Sequence, residues 1–163
     1  MIDPYRIFPD GPYRPGKTAR PLESDILKRQ ISALPTSVTS ENWRNAEAYF
    51  QGIVFFNNQF YWEAHEVWEG VWMNCPPNSR EKYLLQGLIQ MTNAALKAST
   101  GRTVSARKLI KLSEDLLEEA FRGAEDIIMG IAQQNLWNIL KALKEELEGE
   151  KSADKSIPEL EID

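Results

Sequence analysis

Marked as apolar and polar positions, most of the chain repeats at the helical period of about 3.6 residues. From about Glu41 to Asn57, the residues Trp43, Ala46, Phe50, Ile53 and Val54 share one arc, and Thr39 or Ser40 stands ready as an N-cap. Asn57 and Asn58 then form a turn. A second helix is predicted from Phe60 to Met73, with Ala64, Val67, Trp68, Val71 and Trp72 on its apolar arc. Asn74-Cys75-Pro76-Pro77-Asn78 breaks it, because proline disfavours helix in the residue before it and removes a donor. The third helix, Arg80 to Ser99, is apolar nearly all round through Leu84, Leu85, Leu88, Ile89, Met91, Ala94, Ala95 and Leu96. Its one polar stripe is Gln86, Gln90, Asn93 and Lys97. Helices follow from Val104 to Phe121, burying Ala106, Leu109, Ile110, Ser113, Leu117 and Ala120, and from Ala132 to Glu148, burying Leu136, Ile139, Leu140, Leu143 and Leu147. A shorter one from Glu23 to Ala33 would bury Ile26, Leu27, Ile31 and Leu34. The stretch between Gly123 and Gly130 has no clear period, and no segment alternates as a strand would. The fold class is therefore all-α, a helical bundle of four to six helices. The short 74–78 link makes its second and third long helices an antiparallel central pair.

Composition refines this picture at the two ends. Prolines 4, 9, 12, 15 and 21 make residues 1–38 a proline-rich arm with one short helix, and Tyr5, Ile7, Phe8 and Tyr13 are apolar enough to lay part of it on the domain. Residues 39–148 form the bundle domain. Residues 149–163 are charged, contain Pro158, and are expected to be a disordered acidic tail. The net charge of −5 with no dense basic block excludes a phosphate-tracking nucleic-acid binder. Cys75 is the single cysteine, so no internal disulfide forms and a reducing compartment is the natural setting. No apolar run reaches the ~18 residues of a membrane span. The N-terminus has no apolar signal core, and the expected location is the cytoplasm.

The candidate chemistry sits on the Phe60–Met73 helix. Beside its apolar arc lie Trp62, His65, Glu66 and Glu69, with Glu63 in the same turns, and His65 and Glu69 share a face at i and i+4. His65 is the only histidine. His65-Glu66-x-x-Glu69 departs from the zinc-protease pattern at the position of the second histidine, and a di-iron bundle would need glutamate where Trp62 stands. No metal and no cofactor is assigned. Cys75 has no activating neighbour in the sequence. General acid–base work by His65 with Glu66 or Glu69 is chemically sound, since a carboxylate can orient an imidazole that titrates near neutral pH. The polar stripe of Gln86 and Gln90 is expected to face these residues, because two polar strips on two central helices each need partners.

Two strings carry a family likeness. Phe56 to Trp72, FNNQFYWEAHEVWEGVW, and Leu84 to Lys97, LLQGLIQMTNAALK, lie in order across a short proline-containing loop. The chain resembles the family known as domain of unknown function 309, whose pattern is matched by Phe56, Asn57, Glu63, Ala64, His65, Glu66, Glu69, Trp72, Gln86, Gly87, Leu88, Ile89 and Gln90. The likeness runs from about Arg44 to Leu143 and implies a small helical bundle without an assigned reaction. With it, the candidate ligand-binding set is Asn57, Trp62, Glu63, His65, Glu66, Glu69, Gln86 and Gln90, and the candidate catalytic residues are His65, Glu66 and Glu69. Two classes of function follow. In one, the cluster binds or transforms a small polar molecule. In the other, it is a hydrogen-bond network inside a non-enzymatic interaction or scaffold module. Whether the chain is an enzyme, and whether it forms a homo-oligomer, stays open at the level of sequence.

Overall fold

The computed structural model describes residues 9, 11–19, 25–123, 125–149 and 156–163, with the side chain of Ile26 excepted. In chain order the elements are α1 (Asp25–Ser32), α2 (Glu47–Asn57), α3 (Tyr61–Met73), α4 (Arg80–Ser99), α5 (Thr103–Ala120), a hairpin of β1 (Ile127–Ile128) and β2 (Ile131–Ala132), and α6 (Gln133–Leu147). The fold is all-α, with α3 and α4 as its antiparallel central pair. The four long helical periods from Phe60 onward become helices whose ends lie within a residue of those expected. Strong local signals explain that agreement. Ser79 caps α4 by accepting a hydrogen bond from the Lys82 amide at 3.1 Å, and Asn78 takes the left-handed conformation, φ 57°, that the tight link demands.

The core is built where helices approach most closely. Trp68 on α3 is fully buried, and its indole Nε1–H donates to the Tyr49 carbonyl on α2 at 3.1 Å. The ring lies against the bare backbone of Gly52: a Cβ there would come within 2.0 Å of the indole nitrogen. Gly87 performs the same service between α4 and α5, where a Cβ would meet Leu117 at 2.5 Å and the Ser113 hydroxyl donates to the Gly87 carbonyl at 2.8 Å. Around these crossings Leu84, Leu85, Leu88, Met91, Ile110, Leu136 and Ile139 are closed to solvent.

The structure corrects several expectations. Residues 41–46 do not extend α2. Trp43–Asn45 form a 3₁₀ turn, and Ala46, at φ −93° and ψ 82°, breaks the helical phase before Glu47. This bend lets Trp43 stack on Phe50 with ring centroids 5.6 Å apart. Thr39 and Ser40 are not simple caps. The Thr39 amide donates to Asn42 Oδ1 at 2.9 Å, while the Ser40 amide and hydroxyl both donate to Glu81 on α4 at 2.8 and 2.6 Å. With the phase reset, α2 buries Tyr49, Gly52, Phe55 and Phe56, and leaves Phe50 and Val54 half-buried. Trp72 and Leu109 are likewise only half-buried, and Lys82 Nζ covers the Trp72 ring at 4.4 Å.

The segment around Gly130 is a two-residue antiparallel hairpin, pairing Ile127 with Ala132 and Ile128 with Ile131. Strands this short cannot show alternation in sequence. The Tyr49 hydroxyl anchors it by donating to the Met129 carbonyl at 2.9 Å. Residues 156–163 depart from the expected disordered tail. Leu160 is buried, and the amide hydrogen bonds of this segment are made to α2, α6 and the hairpin. Of the arm, residues 11–19 contain no helix. The expectations for Tyr5, Ile7, Phe8 and the Ile26 side chain, and for the start of the first helix at Glu23, lie outside the described residues.

The Trp68–Gly52 contact generates a direct prediction. Alanine normally favours a helix interior over glycine, yet Gly52→Ala is expected to lose about 1–3 kcal/mol to overpacking in urea denaturation. Trp68→Ala is expected to lose about 3–5 kcal/mol by emptying a large aromatic site. A Gly52→Ala chain as stable as wild type would show that the indole can move aside.

Candidate functional site

The side chains singled out on α3 separate once the helix is packed. Ala64, Val67, Trp68 and Val71 point into the bundle, so the neighbouring arc with His65, Glu66 and Glu69 opens to solvent. His65 lies between the two carboxylates. Its Nε2 is 2.9 Å from Glu69 Oε1 and its Nδ1 is 3.5 Å from Glu66 Oε1. The His65 side chain is 19% exposed against 44% for Glu66 and 50% for Glu69. The His65 Nδ1 atom itself is closed off from solvent and makes no hydrogen bond among the described residues. One ligand atom from each of the three residues fits within a 4.8 Å span. That could hold a cation through one nitrogen and two carboxylate oxygens, a set with one donor fewer than the four of a closed structural zinc site.

Glu63 has a different setting. Its side chain turns inward, the residue is only 4% exposed, and its carboxylate accepts from the backbone amide of Tyr13 at 3.1 and 3.3 Å. Burial raises its pKa above the ordinary carboxylate value, the Tyr13 hydrogen bond opposes that, and Glu66 adds to the rise. Trp62, next to it, meets the Tyr13 ring edge-on at 4.8 Å. The arm thus lies across the first turn of α3, held by one hydrogen-bonded carboxylate and one indole.

Asn57, at the end of α2, uses both ends of its side-chain amide on one residue. Its Nδ2 donates to the Leu160 carbonyl at 3.0 Å, and its Oδ1 accepts from the Leu160 amide at 2.8 Å. Asn135, in the first turn of α6, repeats the device one step out, donating to the Glu159 carbonyl and accepting from the Glu161 amide, both at 2.9 Å. Sequence reasoning singled out Asn57 and missed Asn135. An asparagine in a first helical turn is ordinary, and its partners lie 24 and 26 positions away.

Gln86 and Gln90 do not join the α3 cluster. Gln90 accepts from Asn93 Nδ2 at 3.4 Å, and Gln86 lines a cavity of about 220 Å³ with Pro77, Asn78, Lys82 and Tyr83. Among the described residues no hydrogen bond links either glutamine to His65, Glu66 or Glu69. The helix α4 packs against α3, α5 and α6 and turns Gly87 and Leu88 inward, which leaves its polar stripe half-buried. Cys75 is buried, its thiol donates to the Val71 carbonyl at 3.4 Å, and burial pushes its pKa up to about 12, so it offers no thiolate at neutral pH.

With the fold and these contacts in view, the class is a small helical bundle of the type its motifs resemble: residues 49–109, from α2 into α5, match the family described as "Domain of unknown function (DUF309)". A relative of this chain is the "Uncharacterized protein YpuF" of Bacillus subtilis (strain 168), 31% identical over 112 residues. That alignment takes in 68% of this chain and 62% of the relative, so the chain spans less than two thirds of the relative's length. Among the described residues no helix is long and apolar enough to cross a membrane.

Glu63 makes a pH-dependent contribution whose sign follows from its raised pKa. The folded chain holds the proton more tightly than the unfolded chain, so this residue's contribution to stability falls as pH rises from its ordinary value of 4.5 through the raised one. Glu63→Gln keeps an acceptor for the Tyr13 amide and removes the titration. The melting temperature of Glu63→Gln relative to wild type is therefore expected to climb across that window and level off above it. A difference that stays flat with pH would show that Glu63 titrates as an exposed carboxylate.

Proposed function

We propose that this protein is a non-enzymatic interaction module, a helical bundle whose motif side chains hold extended polypeptide against its surface. The observation that carries this reading is the reciprocal pair of hydrogen bonds between Asn57 and the backbone of Leu160. A side-chain amide spent on both backbone polar groups of one residue recognises chain conformation and leaves specificity to the side-chain slots, which is how strand-type peptide sites work. Glu63 supports the same reading by accepting the Tyr13 amide. In this account residues 39–148 are the bundle domain, and the arm and tail are the segments it holds. The cytoplasm is the proposed location, since the sole cysteine is a buried thiol.

A second reading keeps a small polar molecule as ligand. It rests on the closed-off, unbonded Nδ1 of His65 beside two half-exposed carboxylates. There His65, Glu66 and Glu69 would face a cationic group, with Trp62 at the margin.

Limited proteolysis by an enzyme that cuts after glutamate tests the first reading on the full chain. Asn57→Ala is expected to speed cleavage after Glu159 and Glu161 about tenfold or more, with the helical circular dichroism unchanged. Unchanged cleavage would overturn it. Native mass spectrometry tests the second: a small molecule carried by the wild-type chain and lost in Glu66→Gln and Glu69→Gln would favour the ligand site over the module.

A further inference from the structure

The contacts of residues 157–163 read backbone more than side chains. Asn57 holds both polar groups of Leu160, Asn135 spans the Glu159 carbonyl and the Glu161 amide, and the Gly130 carbonyl accepts from the Asp163 amide at 2.9 Å. Leu160 is 2% exposed, whereas Glu159 and Glu161 on either side face solvent. Ile162, two positions on, lies beside Gly130 and Trp43. This is the alternation of an extended strand, with one side chain in a slot and the next in water. Pro158 fixes φ at the entry and biases Ile157 toward extended backbone.

Chain length shows that this seat does not depend on tension from α6. The return from Leu147 to the level of Asn135 covers roughly 18 Å along the helix, at about 1.5 Å per residue. The stretch of about twelve residues from Leu147 to Glu159 can reach roughly 40 Å when extended. The chain is therefore long enough to fill this seat without any movement of α6. Tethered this closely the tail competes at an effective concentration on the order of millimolar.

We propose that the groove between the end of α2, the start of α6 and the β1–β2 turn is a binding site for an extended segment of a partner protein. That segment has the pattern aliphatic-Pro-x-Leu-x-aliphatic, and residues 157–162 are its built-in competitor. This rests on the interaction-module reading and adds the occupant. Leucine enters the slot that Leu160 fills, the second aliphatic residue lies on Gly130 and Trp43, and the positions between stay polar because they face water.

Fluorescence anisotropy of a labelled Ser-Ile-Pro-Glu-Leu-Glu-Ile-Asp peptide against the full chain tests it. Leu160→Asp dislodges the chain's own tail, and Glu161→Pro does so independently by removing the amide that Asn135 accepts at an exposed position. Each variant, checked for wild-type helical circular dichroism, is expected to bind the peptide at least tenfold more tightly than wild type. Adding Asn57→Ala is expected to cancel that gain. Should Leu160→Asp not fold, Glu161→Pro and competition by unlabelled peptide carry the test. Equal affinity in wild type and a folded tail variant would overturn the partner site. Concentration-dependent dimerisation of wild type that Asn57→Ala abolishes would make a second copy the occupant and would also overturn it. Tail release by Asn57→Ala in proteolysis without peptide binding sinks this inference and leaves the module reading standing. Failure of both sinks both.

Discussion

The contact on which the rest of this bundle depends is the Trp68 indole lying on the backbone of Gly52. An aromatic side chain of this size buries 150–250 Å², and here it does so fully while its Nε1–H satisfies the Tyr49 carbonyl. Any side chain at position 52 would force the ring away, so α2 and α3 are held at one distance and one rotation. That rotation decides which arc of α3 is inside. It sends Ala64, Val67 and Val71 into the core, Glu63 under the arm, and His65, Glu66 and Glu69 toward the surface.

The polar motif residues consequently serve different ends. Asn57 and Glu63 sit at the two ends of the α2–α3 turn and bind backbone of segments 103 and 50 positions away. Each satisfies a peptide group that would otherwise cost about 1–3 kcal/mol if buried without a partner. The His65 group is an exposed i,i+4 pair with a second carboxylate beside it, and surface pairs of this kind contribute only a few tenths of a kcal/mol. If stability alone were at stake, Asn57 and Glu63 would matter more than the histidine to which the eye goes first.

Much of this was legible in the sequence, and its limits have physical causes. The proline pair at 76–77, Ser79 as cap and Gly101 as terminator are local signals that act through the backbone of their own neighbours, and they placed α3 and α4 to the residue or nearly so. The α2 boundary was misjudged because the period continues smoothly from Trp43 to Phe50. What breaks it is tertiary: Trp43 is drawn into the core by Phe50 and Tyr49, and Ser40 is drawn to Glu81. Gly52 was the missed clue, since a glycine inside an apolar helix costs about 0.5–1 kcal/mol relative to alanine and implies a close neighbour. The expected meeting of the Gln86/Gln90 stripe with His65 assumed that polar strips on paired helices must face one another. Gln86 and Gln90 instead stay half-buried on α4, and among the described residues neither makes a hydrogen bond to His65, Glu66 or Glu69. Docking of Leu160 is a contact between distant segments that charge and composition hide, because Glu159 and Glu161 make the tail look solvated while the residue between them is buried.

The central claim is that Asn57 acts on the backbone of a separable segment, not on the core. Amide hydrogen exchange measured residue by residue in wild type and Asn57→Ala addresses it most directly. Exchange at Leu160 and Glu161 is expected to accelerate at least tenfold in the variant, while Leu88 and Ile89 on α4 keep their wild-type rates. Equal acceleration at all four amides would make Asn57 a core residue, and no acceleration at Leu160 would leave the bond without consequence. Either result would contradict the account.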